Sequence, residues 1–465
     1  MKSNLGVFGL GVMGKSIALN ILNHGYTISV YNRETEYTKS FSELTQGKPV
    51  KSCFNVEEFI NSLEVPRKVL LMVTAGEAVD KVIEGILPYL EQGDIVLDGG
   101  NSYFKDTIRR YNYLKGKEIN FLGVGISGGE QGALFGPSIM PSGNKEAYQK
   151  VQKILEDISA KAEDGKACCS YVGESGSGHY VKMVHNGIEY ADIQIICEAY
   201  SFMKDGLKLS IEEIQETFCE WNKGKLQSYL IKITSEILLK KDEFTNNYLI
   251  DMILDKAEQK GTGKWTSIEG FDIGTPIPTI VASVEARYLS SKKEERIQAS
   301  KILTFDVGGG HYNKKETLNA LENAIYAAKI CCYAQGFELL KDAANLYDWN
   351  LDFGSIAMLW REGCIIRANF LNEIKEAFDE ENNNLILTNK FYGKIIEYQP
   401  DLRSTLIKMI ECGIYIPAFT SALQYLDGYR SEITSANLLQ AQRDYFGAHT
   451  YQRIDRKGTF HTIWE

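Results

Sequence analysis

Four side chains in one stretch of this chain carry chemistry most plainly: Lys182, His185, Asn186 and Glu189. Spaced i, i+3, i+4 and i+7, they put an ammonium, an imidazole, an amide and a carboxylate on one side of a helix within two turns. An amine whose pKa is lowered by an apolar wall and a bound ligand is a competent general base near neutral pH. A carboxyl one or two turns away can serve the opposite proton transfer. Beside this stripe Val181, Val184, Ile188, Ala191 and Ile195 recur at three and four residues, as on a buried helix face. A solvated polar face is the alternative reading of the stripe, although His-Asn within an apolar helix is unusual for one.

A second chemistry sits at the start of the chain. Gly9-Leu10-Gly11-Val12-Met13-Gly14 follows an apolar run and opens a helical pattern, the context a dinucleotide fingerprint requires. One glycine permits the tight turn, one lets the backbone approach a pyrophosphate, and one permits close helix packing, with free N–H groups at the helix start facing the anion. The next strand ends at Asn32-Arg33-Glu34, where a carboxylate would hold the ribose of NAD; Arg33 comes first and favours a 2′-phosphate, while Glu34 could accept a ribose hydroxyl or repel that phosphate. Asp98-Gly99-Gly100-Asn101-Ser102 and Ser127-Gly128-Gly129 end two further strands and could face the same crevice, or be ordinary turns. Gln259 to Trp265, with Lys260, Gly261, Thr262 and Gly263, could cradle a phosphate, and Arg287 lies in a helix. Near the end, Arg443 to Thr450 groups Arg443 and His449 with aromatic side chains. Each alone suits a surface; together they suggest a multiply anionic small molecule.

The elements that must position these residues change character near residue 177. Before it, Asn4 to Leu10, Thr27 to Tyr31, Lys68 to Val73, Asp94 to Asp98 and Ile119 to Ile126 read as strands alternating with helices, which predicts a doubly wound, Rossmann-like α/β domain with a parallel sheet, residues 1–176. After it the pattern is all-α, residues 177–435, followed by a tail, 436–465. A weak internal repeat divides the helical part into 177–312 and 313–435: one offset carries Lys204-Asp205 onto Lys341-Asp342, and an offset two residues larger carries Trp221 onto Trp360. The first offset carries Lys182 onto Asn319 and Glu189 onto Tyr326, so the second copy lacks both proton-transfer groups. Asp379 to Asn384 reads as a solvated loop.

Composition bounds the partners. With 51 Lys and Arg against 61 Asp and Glu over 465 residues, the formal charge is -10, which argues against nucleic acid or an anionic membrane as the main partner. The nine cysteines are scattered and read as reduced thiols. No apolar run is long enough to span a bilayer and the N-terminal run is broken by glycines, so a cytoplasmic protein is expected.

The segments GLGVMG, DGGNS, GISGGEQGALFGPSIMPSG, KMVHNGIEYADIQ, QKGTGKWT and QRDYFGAHTY, in this order from residue 9 to residue 451, resemble the decarboxylating 6-phosphogluconate dehydrogenase family of the pentose phosphate pathway. The resemblance implies oxidative decarboxylation of 6-phosphogluconate to ribulose 5-phosphate and carbon dioxide, with reduction of NADP and no metal. It implies that Lys182 is base and then acid, and that Glu189 is the proton donor to C1. Substrate would be held by Asn101, Ser127, Gly128, Gly129, His185 and Asn186, and its phosphate by Tyr190, Lys260, Thr262 and Arg287, with Arg443 and His449 reaching in from the tail of a second subunit. Cofactor residues would be Gly9, Leu10, Gly11, Val12, Met13, Gly14, Asn32, Arg33, Glu34, Val73, Thr74, Ala75 and Asn101. A homodimer with shared sites follows from the same likeness. Three positions depart from the family's pattern: Thr74 replaces a usual lysine, Glu34 a usual threonine and Leu134 a usual arginine. The first two leave use of NAD beside NADP open. The rival readings are a general β-hydroxyacid dehydrogenase, whose chains are shorter and lack the arginine-histidine tail, and a catalytically inert protein on the same fold.

Overall fold

Runs such as Lys68–Leu71 and Ile95–Asp98 are apolar at consecutive positions because the sheet they join is covered on both faces. Leu70 and Leu97 point into one core with Ile17 and Ile21, while Val69, Leu71 and Val96 point into another with Phe59 and Ile83. The computed structural model describes residues 2–304 and 306–464, so Met1, Phe305 and Glu465, which fall in the expected domain ranges, lie outside the described residues. Strands β1 (Leu5–Phe8), β2 (Ile28–Tyr31), β3 (Val50–Ser52), β4 (Lys68–Leu71), β5 (Ile95–Asp98), β6 (Asn120–Ser127) and β7 (Ser138–Gly143) form one sheet in the order β3-β2-β1-β4-β5-β6-β7. The first six are parallel, as expected, but β7 runs antiparallel to β6. Neither β3 nor β7 is expected from the sequence. β3 is three residues of an edge, and β7 reads SIMPSG, whose serines, proline and glycine disfavour a strand anywhere but an edge.

The helical half is built on two long helices, Ser177–Ser201 and Lys314–Tyr347, which bury a common core. Their contact repeats itself. Asp192 and Lys329, 137 residues apart, form a fully buried ion pair with Nζ 2.7 and 2.6 Å from the two carboxylate oxygens; removing one partner of such a pair costs about 3–5 kcal/mol. By the same offset Glu198 matches Gln335. The Glu198 carboxylate accepts the N–H groups of Ala418 and Phe419 at the start of helix Pro417–Tyr429. Gln335 Oε1 accepts the N–H of Thr279 at the start of helix Pro278–Ser291. Both capped helices begin Ile-Pro, at Ile277 and Ile416, with nearly equal backbone angles. The offset carries the exposed Asn319 and the buried Tyr326 to the places of Lys182 and Glu189, and the Tyr326 hydroxyl donates to Glu373. The solvated loop expected over Asp379 to Asn384 is confined to residues 381–383: Asp379 and Glu380 finish a helix (Phe370–Glu380), and Asn384 is buried, donating to Tyr425 and Glu338. No helix among the described residues is long and apolar enough to cross a membrane, and all nine cysteines are unpaired.

The lysine helix, Ser177–Ser201, rests directly on β6 and β7. A Cβ on Gly178 would lie 2.2 Å from the Met140 carbonyl oxygen, and one on Gly125 would lie 2.7 Å from the Lys182 Cβ. Backbone meets backbone there, which brings Lys182 to the carboxyl end of β6.

The paired caps generate a prediction. Burial holds the Glu198 carboxyl up at about 7 against an ordinary 4.5, so the folded chain binds this proton more tightly than the unfolded one. Its contribution to stability is complete below pH 4.5 and is lost as pH rises through about 7, a change of about 3 kcal/mol. Glu198→Gln imitates Gln335 and removes that slope. Its melting temperature relative to the unsubstituted protein should therefore climb between about pH 5 and pH 8; parallel curves would show that Glu198 does not titrate in this window.

Candidate active site

Ligands of open parallel sheets bind beyond the carboxyl ends of the strands where the order reverses, here between β1 and β4. The β1 turn is built for close approach. Gly9 sits at φ 104°, where a Cβ would be 2.4 Å from the Met72 carbonyl oxygen, and a Cβ on Gly14 would be 2.0 Å from the Gly9 oxygen. A Cβ on Gly11 would meet nothing within 4 Å. Gly11 is the N-cap of helix Val12–Asn23 and supplies no side chain to its first N–H groups, which stay available to an anion. The Leu10 side chain is buried, and its N–H donates to Asn32 Oδ1 at 2.8 Å.

These glycines open on a cleft of about 790 Å³ lined by Asn32, Arg33, Glu34, Val73 and Thr74, and also by Tyr31, Tyr37, Glu77, Lys81 and Val82. The Arg33 side chain is 86% exposed and bound to Glu34. This ion pair holds the Glu34 carboxyl below its usual range. Lys81 pairs with Glu77 at 3.0 Å. Each cation of the lining is thus matched by a carboxylate of the same lining. Lys81 and Glu77 were not legible as cleft residues, because i, i+4 pairs cover most helix surfaces.

At the far end of the sheet the polar stripe is buried rather than solvated. Lys182 is 8% exposed and His185 fully buried. Lys182 Nζ donates to Asn186 Oδ1 at 2.7 Å and to Ser127 Oγ at 3.1 Å. Asn186 Oδ1 also lies 2.9 Å from His185 Nδ1, and its Nδ2 donates to Thr262 Oγ1 at 3.1 Å. That network assigns the proton of neutral His185 to Nδ1 and leaves Nε2 a buried acceptor with no protein partner. Burial pushes the Lys182 amine below its ordinary value against the opposing pull of Glu189, and pushes the Glu189 carboxyl up against Lys182 and Arg287. Burial, helped by Lys182, takes His185 well below its ordinary value. An amine made easier to deprotonate and a carboxyl made harder to ionise, on one helix, are what opposed proton transfers need.

Ser127 ends β6, and Gly128 (φ 118°) and Gly129 (φ 60°) turn the chain into helix Gly129–Phe135. The Arg287 guanidinium lies 3.4 Å from the centre of the Tyr190 ring, and Gly263 leaves room for that ring. Gly261 (φ 95°) caps helix Thr262–Ile273 without a side chain. Lys260 is exposed beside it, and Asn101 is exposed after β5 on a loop pinned by Asp98, whose carboxylate accepts from Gly100 N and Ser102 Oγ. Arg443 and His449 are not brought to this cluster: Arg443 donates to Gln440, and the His449 ring lies against Phe446. The loop Trp360 to Cys364 borders the site without any signal in the sequence. Trp360 stands edge-on to His185 with ring centres 5.5 Å apart, and a Cβ on Gly128 would be 2.6 Å from the Gly363 oxygen.

Comparison with known proteins gives concordant results. The family described as the NAD binding domain of 6-phosphogluconate dehydrogenase matches residues 4–173, and the 6-phosphogluconate dehydrogenase C-terminal domain matches residues 178–464. A Bacillus subtilis protein named 6-phosphogluconate dehydrogenase, NADP(+)-dependent, decarboxylating, is 53% identical over 100% of this chain and 99% of its own length. A Staphylococcus aureus 6-phosphogluconate dehydrogenase, decarboxylating, is 52% identical over the same shares. The solved Plasmodium falciparum 6-phosphogluconate dehydrogenase, studied in its apo form and with NADP+ or 6-phosphogluconate, superposes with a TM-score of 0.96 at 45% identity, over 99% of this chain and 100% of its own.

The unequal surroundings of the glycines separate folding from binding. Gly14→Ala should lower stability by about 1–3 kcal/mol, because its Cβ meets backbone. Gly11→Ala should melt within about 1 kcal/mol of the unsubstituted protein yet bind dinucleotide more weakly, as measured by thermal unfolding and cofactor-fluorescence titration. Equal loss of stability in both variants would contradict this division.

Proposed function

The chain belongs to the 6-phosphogluconate dehydrogenase family, and on that premise we propose that it oxidises and decarboxylates 6-phospho-D-gluconate to D-ribulose 5-phosphate and carbon dioxide, with reduction of NADP. The observation that carries the reading is Lys182: a buried amine between Ser127 Oγ and Asn186 Oδ1, two turns from a carboxyl whose pKa is raised. Lys182 Nζ takes the proton of the C3 hydroxyl. The bound dinucleotide supplies a hydride acceptor at nicotinamide C4. Protonated Lys182 then donates to the C3 ketone oxygen while the C1 carboxylate leaves as carbon dioxide and its bonding pair enters the enediol. Glu189 protonates C1 of that enediol, the former C2 of the sugar acid, while Lys182, neutral after its donation, takes back the proton of the enol oxygen to give the ketone product. His185 Nε2, a buried acceptor without a partner, suits a hydroxyl of the sugar acid. Asn101, Ser127, Gly128, Gly129 and Asn186 hold the acid end, and Tyr190, Lys260, Thr262 and Arg287 hold the phosphate.

The dinucleotide fits the β1 turn through the uncapped helix start and the open space at Gly11. Residues Gly9 to Gly14, Asn32 to Glu34, Val73 to Ala75 and Asn101 hold it, with Arg33 on the 2′-phosphate. The organisation is a cofactor domain, 1–176, a helical domain, 177–435, with halves 177–312 and 313–435, and a tail, 436–465; the paired Ile-Pro helices and caps support the halves. The chain works as a cytoplasmic homodimer in which Arg443 and His449 complete the partner's phosphate site. Support for the dimer comes from the position of both residues on a tail that presents exposed Leu438, Leu439, Phe446, Ile454 and Ile463. Nine unpaired cysteines fit a reducing compartment.

Lys182→Met is expected to lower kcat for 6-phosphogluconate about 10³-fold while leaving NADP binding intact, read from absorbance of the reduced cofactor and from fluorescence titration. Near-normal turnover would remove Lys182 as the base. Glu34→Thr frees Arg33 and should raise the ratio of kcat/KM for NADP over that for NAD about 3–10-fold. An unchanged ratio would show that the Arg33–Glu34 pair does not oppose the 2′-phosphate.

A further inference from the structure

Asp444 is the only residue of helix Ala436–Gly447 that is buried, and its carboxylate accepts four hydrogen bonds. Oδ1 accepts the Thr450 N–H at 2.9 Å and His461 Nδ1 at 2.9 Å; Oδ2 accepts the Thr462 N–H at 3.0 Å and Trp464 Nε1 at 2.9 Å. These contacts draw residues 450 to 464 back onto the helix end and make the tail a closed unit. Between the first two closures lies His449. The Ala448 N–H is bound by the Asp444 carbonyl oxygen at 2.9 Å, and the Thr450 N–H by the Asp444 carboxylate. Both flanking residues are left-handed, Ala448 at φ 49° and Thr450 at φ 62°. A β-branched residue adopts that conformation only when surrounding contacts impose it. Gly447 completes the clamp, since a Cβ there would lie 2.7 Å from His449 Nε2.

We propose that Asp444 is a positioning residue for the substrate phosphate, holding Arg443 and His449 of the tail in the arrangement that the partner's site receives. This rests on the reading that the tail completes the partner's site. Arg443 precedes Asp444 on the last helical turn, and His449 is fixed by Asp444 from both sides. The carboxylate is required as such, because four donors converge on it. An amide would turn its own N–H groups toward two of them.

The test compares Asp444→Asn, Gly447→Ala, Arg443→Ala and His449→Ala in the full-length protein, with KM for 6-phosphogluconate, KM for NADP, kcat and elution volume measured for each. Asp444→Asn and Gly447→Ala should each raise KM for 6-phosphogluconate about tenfold or more while KM for NADP and elution volume stay unchanged, following Arg443→Ala and His449→Ala. An unchanged KM in Asp444→Asn and Gly447→Ala, with the other two raised, overturns the proposal. So does a loss of kcat and elution volume at constant KM, the signature of a residue that only holds the fold. If Arg443→Ala and His449→Ala leave KM unchanged, it is the underlying reading of the tail that fails. Should Asp444→Asn not fold, Gly447→Ala decides: a raised KM supports the proposal and an unchanged one overturns it.

Discussion

Everything at the reaction centre follows from how closely one helix approaches one edge of the sheet. Ser177–Ser201 lies on β6 and β7 with glycines at Gly123, Gly125 and Gly178 where side chains would otherwise hold the layers apart. The approach carries Lys182 out of water and to within 3.1 Å of Ser127 at the strand end. Burial then does to the amine what no neighbouring charge does, lowering its pKa against the pull of Glu189. The second half of the helical domain closes the pocket, with Trp360 against His185 and Gly363 against Gly128. On the proposed reading, the half that carries Asn319 and Tyr326 in place of Lys182 and Glu189 thus shapes a site it does not serve chemically.

At the other end of the sheet the governing fact is charge balance. Arg33 answers Glu34 and Lys81 answers Glu77 inside one cleft. On the proposed reading, a 2′-phosphate held by Arg33 replaces a carboxylate already in place, and exposed pairs of this kind are weak. The departures from the family's pattern at Glu34 and Thr74 fall in this lining. The glycine turn is indifferent to them, being set by backbone contacts to Met72 and Gly9.

What the sequence revealed and what it concealed divide along physical lines. Five strands were legible because each is apolar at nearly every position, which only a doubly covered sheet allows. Strand β7 was hidden by Pro141 and its serines, and β3 by its length. Lys182, His185, Asn186 and Glu189 stood out because polar groups interrupt an otherwise apolar helix. Trp360 and Gly363 did not, because His185 and Gly128, which they meet, lie far away in sequence; Lys81 was hidden as an ordinary i, i+4 pair with Glu77, and Asp444 by partners that only the folded tail brings to it. Asn384 was misread for the same reason: its partners Tyr425 and Glu338 lie more than forty residues distant.

The central claim is that burial against the strand end makes the Lys182 amine easier to deprotonate than an ordinary lysine. Nitrogen-15 NMR of the lysine side chains across a pH titration, with Lys182→Arg to assign the resonance, tests it directly. Lys182 is expected to lose its proton below the ~10.4 of an unperturbed lysine. Titration of Lys182 at or above that value would contradict it, and with it the assignment of Lys182 as the base that starts the reaction.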